Sequence, residues 1–218
     1  MTDIPTPIIS VILPVYNRRH VIMRALNSVE QQSFRNYELL IVDDGSTDGL
    51  ETVVIPEVLR CPHWRYLKHT NRKVAWSRNI GIRAALGEFI TFLDSDDEYL
   101  PEHLQLRYDY MLAHPEVDII HGGVKIDGPE ETHWVVDAAE PTQKIHINDC
   151  CVGATLFAGR KVFLESGSFP IVPYSPEYHF LQKAAGRYRI EKVAFPTYIY
   201  HTAGEDRICR NRGILKNR

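Results

Sequence analysis

The chain opens with an almost unbroken apolar run, Ile8 to Leu13, closed by Pro14. With no polar alternation to mark a wet face, such a run predicts a strand buried on both sides. Ile22, Ala25, Leu26 and Val29 then recur at helical spacing, which predicts a helix from near Arg19 or His20 to Gln32 with that stripe on the core. Tyr37 to Val42 reads as the next strand, so strand, helix and strand form a right-handed parallel unit. In the turn Asp43 to Gly49, Gly45 supplies a positive φ, and Thr47 or Asp48 caps a helix running through Leu50, Val53 and Val54. Trp64 to Leu67 predicts a third strand. Val74 to Leu86 predicts a helix despite Gly81, with Gly87 ending it, and Phe89 to Leu93 a fourth strand.

The second half is patterned less regularly. Pro101 opens a helix whose apolar face is Leu104, Tyr108, Met111 and Leu112 and which stops before Pro115. Val117 to Ile120 is strand-like. Turn residues from His121 to Thr132, followed by Trp134, Val135 and Val136, predict a hairpin or flap in which Trp134 is partly buried or offers a stacking face to a sugar. Val152 to Phe157 predicts a strand and Arg160 to Glu165 a short helix. A further helix follows, with Phe180, Leu181, Ala184 and Ala185 on its buried face, then one or two closing strands between Tyr188 and Tyr200.

The length of 218 residues, with 44% hydrophobic and 24% charged positions, fits one α/β domain. A net charge of −3 gives no electrostatic case for nucleic acid as a partner. Cys61, Cys150, Cys151 and Cys209 lack zinc-ligand spacing and read as reduced thiols. No stretch resembles a signal peptide or a membrane span, so a cytoplasmic location is expected. The basic end, Arg207 to Arg218, reads as a solvated tail or as a contact with the anionic inner face of a membrane.

The acidic positions at strand ends carry the candidate chemistry. Asp94, Asp96 and Asp97 follow the fourth strand directly, where open parallel sheets bind ligands. Like charges crowded there call for a cation, and an all-oxygen, sulfur-free set suits Mg²⁺ or Mn²⁺. The alternative is a solvated acidic turn. The basic loop Lys68 to Lys73 precedes this site in sequence and suits an anionic phosphate.

The succession Val-Ile-Leu-Pro-Val-Tyr-Asn at 11–17, Leu-Ile-Val-Asp-Asp-Gly-Ser-Thr-Asp at 40–48, Ser-Arg-Asn-Ile-Gly at 77–81 and Gly-Glu-Phe-Ile-Thr-Phe-Leu-Asp-Ser-Asp-Asp at 87–97 resembles the family 2 glycosyltransferases. That resemblance implies a GT-A fold, α/β with a mostly parallel central sheet, in which 1–100 form a nucleotide-binding half and 101–218 an acceptor-binding half. It implies an inverting, metal-assisted transfer from a nucleotide-sugar donor, a UDP-sugar foremost, to a glycan or lipid-linked acceptor, as in polysaccharide biosynthesis. By the same resemblance Pro14 and Tyr16 pack under the nucleobase, Asp44 accepts from it, Arg78 lies near the nucleotide and Asp94 near the ribose. Asp96 would hold the metal, with Asp97 orienting these groups.

Two positions depart from the family's pattern. After Asn71 the chain reads Arg-Lys-Val where relatives carry glycines, and the acidic pair that holds the catalytic base falls on Pro176 and Glu177. Glu177 is thus the candidate base, against the simpler reading of a helix N-terminal glutamate favoured by the dipole. His179 is a weaker rival. His201 is either an ordinary surface histidine or one that approaches the metal or diphosphate. The remaining readings are a nucleotide-sugar-binding protein without catalysis, a nucleotidyltransferase, and an interaction module. The acidic strand ends leave the last unexplained, and Pro14-Val-Tyr-Asn is not the glycine-rich phosphate loop of a nucleotidyltransferase.

Overall fold

A computed structural model describes residues 6–203. The continuous apolar runs form the middle of a seven-stranded sheet: β1 (Ile9–Val15) and β2 (Tyr37–Asp43) are buried at every position. β3 (Trp64–Lys68) pairs in parallel with β2, and β4 (Phe89–Phe92) in parallel with β1. The crossovers are α1 (Ile22–Glu30), α2 (Glu51–Arg60) and α3 (Val74–Ala84). Gly81 sits in α3 because the helix lies directly on β1: a Cβ there would collide with Ile12 Cγ2. Its cost in helix propensity is offset by that close packing.

Beyond β4 the chain forms β5 (Glu98–Tyr99), α4 (His103–Ala113), β6 (Ile119–His121) and β7 (Val124–Asp127). A two-stranded ribbon follows, β8 (Trp134–Val136) with β9 (Lys144–His146), and then β10 (Phe157–Gly159), α5 (Arg160–Glu165), α6 (Pro176–Ala184), β11 (Ile190–Lys192) and β12 (Tyr198–His201). The main sheet has the order β11-β6-β10-β4-β1-β2-β3, with β10 antiparallel to both neighbours and the other pairs parallel. A small sheet, β5-β12-β7, stands at the edge of the acidic strand end.

Three expectations need correction. Val152 to Phe157 is not a strand: Gly153–Thr155 forms a 3₁₀ turn, fixed by Thr155 Oγ1, which donates to Val152 O and accepts from Gly122 N, and the strand begins only at Phe157. The buried face of α4 is His103, Leu104, Arg107 and Met111, while Leu112 is 59% exposed. Two polar residues share that face with Leu104 and Met111, held by tertiary partners although Arg107 Nε and His103 Nε2 have no hydrogen-bond partner. Arg107 donates to Thr197 Oγ1 and Gly122 O, and His103 stacks on Tyr99 with ring centroids 3.6 Å apart. Finally, α1 begins at Ile22, preceded by a turn in which Val21 N–H donates to Arg18 O. The basic C-terminal tail lies outside the described residues.

Candidate functional site

The C-terminal ends of β1, β2 and β4 bring the loop residues together. Pro14 is buried within β1, and Tyr16, just beyond it, is 44% exposed. The loops after β1 and β2 are stitched together: Asn17 N–H donates to Ser46 Oγ at 2.9 Å, and Asn17 Oδ1 accepts from Thr47 N–H at 2.8 Å. Asp44 is buried and takes the backbone amides of Arg72 and Lys73.

At the end of β4 the three aspartates have different fates. Asp94 accepts from Arg78 Nη2 at 2.9 Å and keeps a third of its side chain exposed. Asp96 is half-buried, and its carbonyl accepts from Arg24 on α1. Asp97 is buried; Tyr198 Oη donates to its Oδ2 at 2.7 Å and His201 N–H to its Oδ1 at 2.9 Å, which fastens β12 to the acidic turn. Burial, then the neighbouring charges of Asp96 and Asp94, holds the Asp97 carboxyl well above the usual carboxylate range.

Arg78 joins the two sides of the site. It is 4% exposed, with Asp94 on one nitrogen and Glu177 Oε2 3.5 Å from the other. Its guanidinium lies over Phe92 and Phe169, 5.7 and 5.5 Å from the ring centroids. Burial alone would pull the guanidinium down, but Asp94 and Glu177 oppose this and the net direction is up, so it stays charged. Glu177 is reached through α6: Pro176 pre-sets the first helical turn, Ser175 before it is left-handed at φ 46, and Ser175 Oγ donates to Glu177 Oε1 at 3.0 Å. Gly153 packs into the angle between these two side chains. A Cβ there would lie 2.7 Å from Arg78 Nη1 and 3.1 Å from Glu177 Oε2.

Arg78, Asp94 and Glu177 line one cavity of about 370 Å³, walled otherwise by the β8–β9 ribbon and by Cys150 to Gly153, Tyr174, Tyr178 and Tyr200. Tyr174 Oη donates to Val136 O at 2.5 Å and fixes the ribbon as the outer wall. Burial and the nearby Glu177 charge push the Cys151 thiol up, so it is a neutral wall residue. Trp134 is half exposed, its ring edge-on to His146 at 5.3 Å, and is not among the cavity's lining residues.

The remaining candidates lie apart from this cavity. His179 is exposed, edge-on to Tyr178 at 5.4 Å, and does not line it. His201 is held between Asp127 (2.7 Å) and Glu98 (2.9 Å), bridging the three strands of the small sheet. Sequence reasoning missed Gly153, Tyr198 and Tyr174. Tyr198 meets Asp97 across 101 positions, and no local pattern signals such a pairing.

A divalent ion fits the residues present. Among the described residues no three His, Cys, Asp or Glu side chains converge as a ready-made cation site. The carboxylates of Asp94 and Asp96 offer hard oxygen donors only, and Mg²⁺ or Mn²⁺ characteristically takes one or two carboxylates and completes its shell with water and substrate phosphate oxygens.

Residues 10–165 match the family described as glycosyl transferase family 2. The chain is 30% identical over 181 residues to the Escherichia coli UDP-Glc:alpha-D-GlcNAc-diphosphoundecaprenol beta-1,3-glucosyltransferase WfgD, covering 80% of this chain and 68% of that protein. Among solved structures, Staphylococcus aureus TarS 1–349 in complex with UDP-GlcNAc superimposes with a TM-score of 0.73 at 24% identity, over 94% of this chain and 61% of that one. The Pyrobaculum calidifontis mannosyltransferase PcManGT, in complex with GDP-Man and Mn²⁺, gives 0.74 at 20% identity, over 93% and 59%. These likenesses establish the GT-A fold. The chain spans only part of other curated relatives, 17% of a Rickettsia felis glycosyltransferase and 61% of one from Haemophilus influenzae.

Proposed function

The chain belongs to glycosyl transferase family 2, and from that premise we propose that it transfers a sugar, with inversion, from a nucleotide-diphosphate donor to a hydroxyl of a glycan or lipid-linked acceptor. A UDP-sugar is the favoured donor, since WfgD is named for UDP-Glc and TarS was crystallised with UDP-GlcNAc. WfgD's name also carries a lipid diphosphate acceptor, which makes a lipid-linked glycan the favoured acceptor class. The observation that carries this reading is the single cavity whose wall holds both the Arg78–Asp94 pair and Glu177, a nucleotide-side group and a candidate base facing one space.

In this reading Pro14, Tyr16, Asp44, Arg78 and Asp94 form the nucleotide side, residues 1–100, and the cavity walls after residue 101 form the acceptor side. Asp96, with Asp94 beside it, would hold the Mn²⁺ or Mg²⁺. When bound, the ion supplies Lewis-acid neutralisation of the charge that builds on the departing nucleoside diphosphate. Glu177 accepts the proton of the acceptor hydroxyl as that oxygen bonds to the anomeric carbon, and the glycosidic bond to the diphosphate breaks with its electron pair on the leaving group. Arg78 keeps Glu177 oriented by holding Oε2 while Ser175 holds Oε1.

Those same two contacts favour the second reading, a nucleotide-sugar-binding protein without catalysis, because both Glu177 oxygens already have partners. A thermal-shift panel of UDP, GDP, dTDP and CDP, each with and without Mn²⁺, tests the donor side. Ligand at 100 times its dissociation constant stabilises a fold by about 2.7 kcal/mol. A metal-dependent shift with UDP supports the reading; no shift with any nucleotide, from a protein that melts cooperatively, overturns it. Sugar release or transfer from the donor that binds then separates enzyme from binding protein.

A further inference from the structure

Helix α1 carries a polar line beside its apolar stripe. Arg24 and Ser28 lie four residues apart on the helix, and Gln32 continues the line just past its end. Polar positions beside a core stripe are ordinarily solvated, yet Ser28 is 5% exposed and Gln32 is fully buried. The chain that follows the acidic turn lies along them, and the contacts run to its main-chain atoms. Tyr99 N–H donates to Ser28 Oγ at 3.1 Å, Gln32 Nε2 donates to Leu100 O at 2.9 Å, and Leu104 N–H donates to Gln32 Oε1 at 3.1 Å. At the end of the line nearest the site, Arg24 Nη2 donates to Asp96 O.

Contacts to the main chain fix the path of a segment whatever side chains it carries. Within the acidic turn, Asp97 N–H closes on Asp94 O at 3.1 Å. The carboxylates at its two ends have their own holders, Arg78 for Asp94, and Tyr198 Oη with His201 N–H for Asp97. Asp96 lies inside the turn with its carbonyl on Arg24. The peptide unit is planar, so fixing that carbonyl restricts rotation at the Asp96 Cα and with it the direction in which the side chain leaves the backbone. Arg24 is half-buried, and its Nε is shut away from water with no hydrogen-bond partner. An unpaired buried N–H is unfavourable, so the bond to Asp96 O is what offsets placing this guanidinium against the turn.

We propose that Arg24 is a positioning residue for the divalent ion, acting from α1 through the Asp96 main chain so that the Asp96 carboxylate stands where it can share an ion with the donor phosphates. The proposal rests on the reading above, in which Asp96 holds that ion. It separates two roles of opposite sign. A guanidinium that acted through its charge alone would repel Mn²⁺, and removing it would tighten binding of the ion. A guanidinium that holds the turn loosens that binding when it is removed.

The test measures Mn²⁺ affinity at saturating UDP, from the free-ion signal in electron paramagnetic resonance, beside a melting curve for each variant. Arg24→Met, which keeps a long stem and removes the donors and the charge, is expected to weaken Mn²⁺ binding at least tenfold. Ser28→Ala removes the next contact in the line and leaves the Tyr99 N–H without its acceptor. It is expected to lower the melting temperature while Mn²⁺ affinity stays within about twofold of the wild type. Unchanged or tighter Mn²⁺ binding in Arg24→Met overturns the proposal. So does a loss in Ser28→Ala as large as that in Arg24→Met, because any loosening of the segment from α1 would then suffice. If Arg24→Met does not fold, Arg24→Ala, the better helix former, decides on the same criteria. A wild-type protein that binds UDP but takes up no Mn²⁺, or an Asp96→Ala variant that takes it up as the wild type does, overturns the assignment of the ion, and this proposal with it. A wild-type protein that melts cooperatively yet binds no nucleoside diphosphate overturns the donor reading and both that rest on it. Loss of Mn²⁺ binding in Asp96→Ala with full binding in Arg24→Met overturns this proposal only.

Discussion

Glu177 Oε2 stands 3.5 Å from Arg78 Nη1, and the same guanidinium holds Asp94 at 2.9 Å. One buried cation thus fixes both the group proposed to take the acceptor proton and the carboxylate proposed for the nucleotide side. Glu177→Gln keeps the shape and the Ser175 contact but removes the basic oxygen. Transfer is expected to fall about 10²–10⁴-fold, the usual contribution of a positioned base. The nucleotide-induced thermal shift should stay as in the wild type. Unchanged turnover moves the base elsewhere.

The pair also has a steric condition. An alanine at Gly153 would place its Cβ 2.7 Å from Arg78 Nη1. That nitrogen belongs to a flexible side chain, but Arg78 is buried and tied to Asp94, so it can yield only by leaving Glu177. Gly153→Ala should therefore cut turnover at least tenfold, with an overpacking cost of about 1–3 kcal/mol in stability. Steady-state rates beside a melting curve check this. A fully active Gly153→Ala would show that the Arg78–Glu177 contact does not matter to the reaction.

The parallel half of the fold was legible because its strands are unbroken apolar runs and its helices carry stripes, signals contained in one short window. The acidic strand ends stood out for the same reason. What the sequence did not disclose depends on residues far apart. The Asp97 to Tyr198 bond, the place of Gly153 against Arg78 and Glu177, and the burial of His103 and Arg107 in α4 each need a partner that only the tertiary fold delivers. Asp44 is the instructive case: its position was evident from the turn motif, but its two loop amides arise from Arg72 and Lys73, 28 and 29 residues on.

Two histidines, His103 buried and His121 half-buried, make stability depend on pH. Burial, with the Arg107 charge, holds His103 well below 6.5, and burial, with Lys192, lowers His121 to about 4. Both are neutral in the folded chain, whereas the unfolded chain takes up their protons near 6.5. Their contribution is therefore fully present above about pH 6.5 and is lost as pH falls toward 4. For His121 the loss is about 3 kcal/mol, since each tenfold change in proton affinity is worth about 1.4 kcal/mol. Melting temperatures measured from pH 7.5 to 4.5 should drop, and His121→Gln should flatten that drop. Parallel curves for wild type and variant would contradict the assignment.

Asp96 and Asp97 are adjacent, yet the structure buries Asp97 and leaves Asp96 half-buried, and substitution should separate them. Asp97 is enclosed by Tyr198 Oη and His201 N–H, so Asp97→Ala strands two buried donors and loosens β12. Each buried donor left unsatisfied costs about 1–3 kcal/mol, so the melting temperature should fall with or without nucleotide. Asp96 is half-buried in the same turn, and its main-chain carbonyl accepts from Arg24, a contact that a side-chain substitution leaves in place. Asp96→Ala, which removes the carboxylate proposed to hold the ion, should lose both the Mn²⁺-dependent part of the UDP shift and metal-dependent turnover, with a smaller fall in melting temperature than Asp97→Ala because Asp96 is only half-buried. Full activity in Asp96→Ala would remove the ion from that carboxylate. A large fall in its melting temperature without ligand would instead make Asp96 a structural residue like its neighbour.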